Sequence, residues 1–155
     1  DLIVGHRIKG GGSQGKHRAF SFSNVMELAM IQRLCEVGLG AASAARAAPM
    51  FAHASGGGEV FGLPEREVAL PFHFSHGRTI FGVSPRMTFE ELWKPGEAYD
   101  TFGRLRRHLG NDFLCVDASE LFDLVCARLQ SATGDRSFHP NAILDEAYPE
   151  DAGKP

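Results

Sequence analysis

Gly10-Gly11-Gly12-Ser13-Gln14-Gly15-Lys16-His17-Arg18-Ala19-Phe20-Ser21-Phe22-Ser23-Asn24-Val25 is the stretch on which the reading of this chain turns. Its glycine-rich first half disfavours a helix and separates the apolar Leu2-Ile3-Val4 and Ile8 from Ala19-Phe20-Ser21-Phe22. Two short strands joined by a flexible tip, a β-hairpin, are predicted. Arg7, Lys9, Lys16 and Arg18 face only Asp1 within the first 18 residues, a local balance of +3, with His6 and His17 beside them. The hairpin is therefore a basic patch, with the cations needed to lie along an acidic surface.

The second half of the same stretch begins a helix. Ser23 or Asn24 supplies an N-cap, and Asn24 with Glu27 three residues later approximates a capping box. Val25, Leu28, Ile31, Leu34 and Cys35 follow at steps of three and four, which predicts an amphipathic helix to about Val37 with Gly38 at its C-terminal cap. The alanine-rich residues 41 to 54 predict a second helix, kinked or divided by Pro49. Ser55-Gly56-Gly57-Gly58 reads as a linker.

Beyond it, residues 68 to 74 and 79 to 83 read as a second hairpin around Ser75-His76-Gly77-Arg78, with Pro71 at an edge or a bulge. Thr88 is expected to cap a short helix over 89 to 93, stopped by Pro95-Gly96, and residues 104 to 108 to form a helical turn. Residues 112 to 116 read as a buried strand. Asp117 and Glu120 then repeat the capping pattern before a helix carrying Leu121, Phe122, Leu124, Val125 and Leu129. The expected organisation is α+β: residues 1 to 54, a linker at 55 to 58, a small α+β domain at 59 to 148, and a frayed tail at 149 to 155.

Composition sets bounds on what this can be. The chain has 155 residues, of which 43 % are hydrophobic and 23 % charged, values of an ordinary globular protein that exclude collagen-like, wholly disordered and disulfide-scaffold classes. Its net charge of −3 provides no global attraction to nucleic acid, so such a partner must use the local basic patch. Cys35, Cys115 and Cys126 form no C-x-x-C pair and sit in apolar surroundings, as reduced, buried thiols of a cytoplasmic protein would. No run approaches eighteen apolar residues, so no membrane partner is expected.

Gly15-Lys16-His17-Arg18-Ala19-Phe20-Ser21-Phe22-Ser23-Asn24-Val25, followed by Leu28, Ile31, Leu34 and Val37-Gly38-Leu39, resembles the wing and third helix of the bacterial MerR-type transcription regulators. The resemblance covers roughly residues 1 to 54. It implies a partial winged helix-turn-helix unit in a DNA-binding, usually homodimeric regulator, followed by an effector or interaction domain that answers to a small molecule. By matching position, Arg18 would be the wing arginine on phosphate, with Lys16 and His17 on the same strand and Arg7 and Lys9 on the first wing strand. The family's base-reading helices would lie upstream of Asp1, and no heptad pattern for its dimerisation coiled coil follows the alanine-rich segment.

Other constellations have simpler readings. Lys16 is followed by His17, so the glycine-rich tip lacks the phosphate-loop pattern. His73 and His76 form an H-x-x-H pair without a third spaced ligand, and residues three apart on a strand face opposite sides. Asp117, Ser119 and Glu120 are explained by helix capping, and no nucleophile motif accompanies them. Neither catalysis nor a cofactor is expected. Arg104, Arg106, Arg107 and His108 read as a solvated helix face. The alternatives to DNA binding are a protein-interaction module whose hairpin meets an acidic partner, and a ligand- or metal-sensing domain.

Overall fold

The computed structural model describes residues 8–10, 18–94, 96 and 98–154. The architecture is α+β, with five helices and small antiparallel sheets among the described residues. A basal hairpin pairs β1 (Ile8–Gly10) with β2 (Arg18–Phe20) in the register Ile8↔Phe20, Lys9↔Ala19 and Gly10↔Arg18. After a single extended residue, Ser21, the chain enters α1 (Phe22–Glu36). Ser21 Oγ accepts from the Asn24 N–H and the Asn24 side chain accepts from the Ser21 N–H, both at 3.2 Å. The capping box therefore falls on Ser21 and Asn24, two to three residues before the cap expected at Ser23 or Asn24, because Phe22 is needed inside the helix to reach the core. Glu27, freed from capping, pairs with His53 at 2.8 Å.

The buried face of α1 also differs from expectation. Phe22, Met26, Met30 and Leu34 are buried, while Leu28 is 56 % exposed and Val25, Ile31 and Cys35 are only partly covered. Apolar residues lie nearly all around this helix, so spacing alone could not choose the side that later helices would cover. Helix α2 (Ala41–Ala52) packs closely on α1 through Ala44, Ala47 and Ala48, and Pro49 does not divide it.

Gly56-Gly57 is no free linker but the two-residue strand β3, paired with β4 (Glu65–Arg66). Residues 68 to 73 form no strand. Instead β5 (Arg78–Val83) pairs with β6 (Thr88–Trp93), from Arg78↔Trp93 to Val83↔Thr88, and the segment expected to be a helix at 89 to 93 is the second strand of that hairpin. Ser84-Pro85-Arg86-Met87 makes the turn: Pro85 presets its backbone, the Ser84 N–H donates to the Met87 carbonyl at 2.9 Å, and Ser84 Oγ accepts from the Met87 N–H. Alternation in β6 sends Glu90 and Glu91 to opposite faces, where Arg66 and Arg104 receive them. A helix would have put neighbouring glutamates about a quarter-turn apart and left one arginine without a partner.

Helix α3 (Ala98–Leu109) is three turns long rather than one, and it covers the outer edge of β6, where Thr101 Oγ1 donates to the Leu92 carbonyl at 2.8 Å. Strand β7 (Leu114–Asp117) pairs with β5 on the other side, completing the order β6-β5-β7. It is an edge strand with Cys115 exposed, so the expectation of three buried cysteines holds fully only for Cys126. Asp117 caps α4 (Ala118–Thr133) by accepting from the Glu120 N–H at 2.9 Å, as the sequence predicts. Helix α5 (Pro140–Ala147) closes the described elements.

One apolar core spans both sides of residues 55 to 58. Phe22 meets Phe122 edge-on at 6.0 Å and Phe51 meets Phe81 at 5.7 Å, joining α1 and α2 to α4 and the sheet. The Tyr148 hydroxyl donates to the Pro71 carbonyl and accepts from the Glu67 N–H, both at 2.9 Å. Residues 149 to 154 turn back on this surface, where Asp151 meets His76 at 2.8 Å.

Burial pushes the Cys126 thiol up to about 12, and burial likewise holds the Tyr148 hydroxyl at about 12. Both groups then keep their protons when folded at pH values where the unfolded chain releases them, beginning at 9.0 for cysteine and 10.0 for tyrosine. Their contribution is complete below those values and lost as pH rises toward 12. Urea unfolding of the wild type and of a Cys126→Ala/Tyr148→Phe variant should show the wild type losing stability more steeply in that alkaline window. Parallel losses would contradict this assignment.

Candidate functional site

The four cations and one imidazole expected on the wing divide into two groups. Lys9 and Arg18 lie on β1 and β2, at successive rungs of the basal hairpin, where Lys9 pairs with Ala19 and Arg18 with Gly10. Arg7, Lys16 and His17 lie outside the described residues. The hairpin leads into α1 through the Ser21 cap, and the next residue, Phe22, is anchored against Phe122. Two strands of backbone pairing, a satisfied cap and a buried aromatic thus fix where the ribbon leaves the body.

The second basic cluster is mostly committed to structure. Arg104 binds Glu91 at 2.8 Å and also meets Asp100, Arg106 donates to Asn111 at 2.8 Å, and His108 stacks on Phe89 with ring centres 3.9 Å apart. The Glu91 and Phe89 contacts hold α3 on β6. Arg107 remains exposed.

His76 ends a 3-10 turn (Phe74–His76), as expected of a turn residue, and His73 caps that turn rather than lying on a strand. Nε2 of His73 faces Asp145 at 3.1 Å and Nε2 of His76 faces Asp151 at 2.8 Å, so each imidazole is tied to a different carboxylate of the C-terminal segment. Lys154 and His76 together hold the Asp151 carboxyl below its usual range. Among the described residues, no group of three His, Cys, Asp or Glu side chains is placed to hold a metal ion.

Ser75, His73 and Asp145 form a hydrogen-bonded chain that sequence reasoning missed, because Asp145 is 72 residues from His73. Nδ1 of His73 takes Ser75 Oγ at 2.8 Å and also accepts from the Ser75 N–H at 3.3 Å. The His76 and Gly77 N–H groups are bound to the carbonyls of His73 and Phe74. Three N–H groups of the turn are thus occupied and unavailable to a developing oxyanion, and His73 itself is buried. This geometry is a turn clasp fastening residues 73 to 76 to α5.

The Asp117-Ser119-Glu120 cluster behaves as a cap. Asp117 accepts from Arg78 Nε at 2.6 Å as well as from the Glu120 N–H, and Ser119 Oγ accepts from the Thr79 N–H at 2.8 Å. Asp123 lies beside it, its carboxyl pushed up by burial. The small cavity at this place, about 240 Å³, is bordered by Arg78, Trp93 and Asp123.

Compared with family models, curated proteins and solved structures, the chain has no match in any of the three. Among the described residues, no helix is long and apolar enough to cross a membrane.

Proposed function

We propose that this chain is part of a DNA-binding transcription regulator whose basic hairpin is the wing of a winged helix-turn-helix unit and lies along the phosphate backbone. The observation that carries the reading is that β1 and β2 pair into a ribbon that bears Lys9 and Arg18 and leads directly into the capped helix α1. Cations held on such a ribbon replace condensed counterions on a duplex without reading bases. Arg7, Lys16 and His17 extend the same basic segment. Base readout would belong to helices preceding the wing, and residues 59 to 148 would supply regulation or dimerisation. Packing of α1 against α4 offers a mechanical route between the two functions.

Fluorescence anisotropy with a mixed-sequence duplex, over about 20 to 200 mM salt, tests this reading. The wild-type chain should bind weakly, losing affinity as salt rises. Replacing Arg7, Lys9, Lys16 and Arg18 by alanine should flatten the slope of log K against log salt by about 3 to 4, at about 0.9 per phosphate contact. Absence of binding at the lowest salt, or an unchanged slope, would overturn the wing assignment.

A further inference from the structure

The geometry points to a binding site for a small organic monoanion with an apolar body, in the groove between the start of α2, the Ser84–Met87 turn and residues 112 to 114. The inference does not depend on DNA binding. The groove encloses about 650 Å³, within the range of small-molecule sites. Ala47 and Val83, both buried, form its deeper part, and Leu39, Phe113 and Leu114 are half-buried along it. Met87 is 45 % exposed beside the opening and has the unbranched, polarisable side chain that adapts to an incoming apolar surface.

The charge at its rim selects the ligand. Arg46 and Arg86 both line the groove, both are exposed, and neither meets a carboxylate among the described residues. Arg33, Arg66, Arg78 and Arg104, by contrast, are each in an ion pair. Arg46 donates to Ser43 Oγ at 3.0 Å, and Ser43 is itself a lining residue, so the guanidinium is steadied beside the opening. Arg86 is carried by the turn, its own N–H and that of Met87 donating to Ser84 Oγ at 3.4 and 3.2 Å. Two guanidinium groups facing an apolar slot match a carboxylate on an aromatic or aliphatic body. Asp112, which also lines the groove, limits the net charge there to +1 and favours a monoanion over a dianion.

Three probes of one shape separate charge recognition from adventitious apolar binding: 4-phenylbutyrate, 4-phenylbutan-1-ol and 4-phenylbutylammonium. Amide chemical-shift titration of the full chain should show the carboxylate perturbing Ala47, Val83, Met87 and Phe113, with at least about tenfold weaker binding of the alcohol and the amine. An Arg46→Gln/Arg86→Gln variant, checked for folding by circular dichroism, should lose about tenfold in affinity for the carboxylate while binding the alcohol as before. Asp112→Asn should tighten the carboxylate, and Arg128→Gln, an exposed change on α4, should leave it unchanged. Equal binding of all three probes, shifts centred elsewhere, or no shifts up to about 10 mM carboxylate would overturn the site.

Discussion

Glu90→Ala should lower the stability of the chain by about 3 to 5 kcal/mol, read as a fall in the midpoint of urea unfolding at constant slope. Glu90 holds the Arg66 guanidinium with two bonds of 2.7 Å, and Arg66 is only 1 % exposed. Removing the carboxylate leaves a buried cation without its counter-charge. The other donors of Arg66 go to the carbonyls of Phe51, Ala54, Glu67 and Leu70, at 2.7 to 3.3 Å, and its planar head lies 4.4 Å from the centre of the Phe51 ring. Those carbonyls include groups at and beyond the last turn of α2, where backbone acceptors have no helical partner. One side chain therefore closes α2, anchors β4 and joins both to β6. Arg66→Met should cost as much as Glu90→Ala, because it withdraws the donors from four carbonyls at once. Glu90→Gln, which retains an acceptor but not the charge, should fall between these and the wild type. A loss below about 1 kcal/mol for Glu90→Ala would mean that the guanidinium finds water, contradicting its burial.

Gly57→Ala should cost about 2 to 5 kcal/mol, measured in the same way. Gly57 has φ +73°, a conformation disfavoured for alanine, and a Cβ placed there would lie 2.0 Å from the Pro64 carbonyl oxygen and 2.7 Å from the Phe72 ring. The obstructing oxygen is backbone and cannot rotate away. Gly58→Ala also has a positive φ, +101°, but meets nothing within 4 Å, so it reports the backbone strain without the collision. The difference between the two variants measures how tightly β3 is held. A flexible linker would accept both changes alike.

The two variants also mark a boundary in what could be read in advance. A run of three glycines beside a serine has the composition of a linker, and nothing within several residues of it discloses a partner. Its role follows from Phe72 and Glu90, which approach so closely that a Cβ on Gly56 would stand 1.9 Å from Glu90 Oε2. The helix expected over 89 to 93 gives way to a strand for the same reason. Thr88 followed by Phe-Glu-Glu-Leu carries local helix signals, but pairing with β5 and two arginines elsewhere in the chain favour the strand. A turn signal was present at Ser84-Pro85, and it marks the hairpin that forms.

In the candidate DNA-binding region, the hairpin base and the helix after it were legible, since strand pairing across a glycine-rich segment and helix propensity depend on neighbours in sequence, whereas the cap fell on Ser21 rather than on Ser23 or Asn24. The groove was not, because Arg46, Arg86 and Asp112 come from three separated segments, and that they meet no opposite charge among the described residues is visible only in the tertiary structure. The sequence by itself determined the basic hairpin, the helices near 22–36, 41–52 and 118–133, and the Asp117 cap, through interactions that reach at most a few residues. Only the tertiary structure decided which face of α1 is buried, that Gly56-Gly57 and residues 88 to 93 are strands, and that Arg66 and Glu90 meet. Those outcomes depend on charges and apolar surfaces brought together from distant parts of the chain, where the cost of an unpaired buried group outweighs local preference.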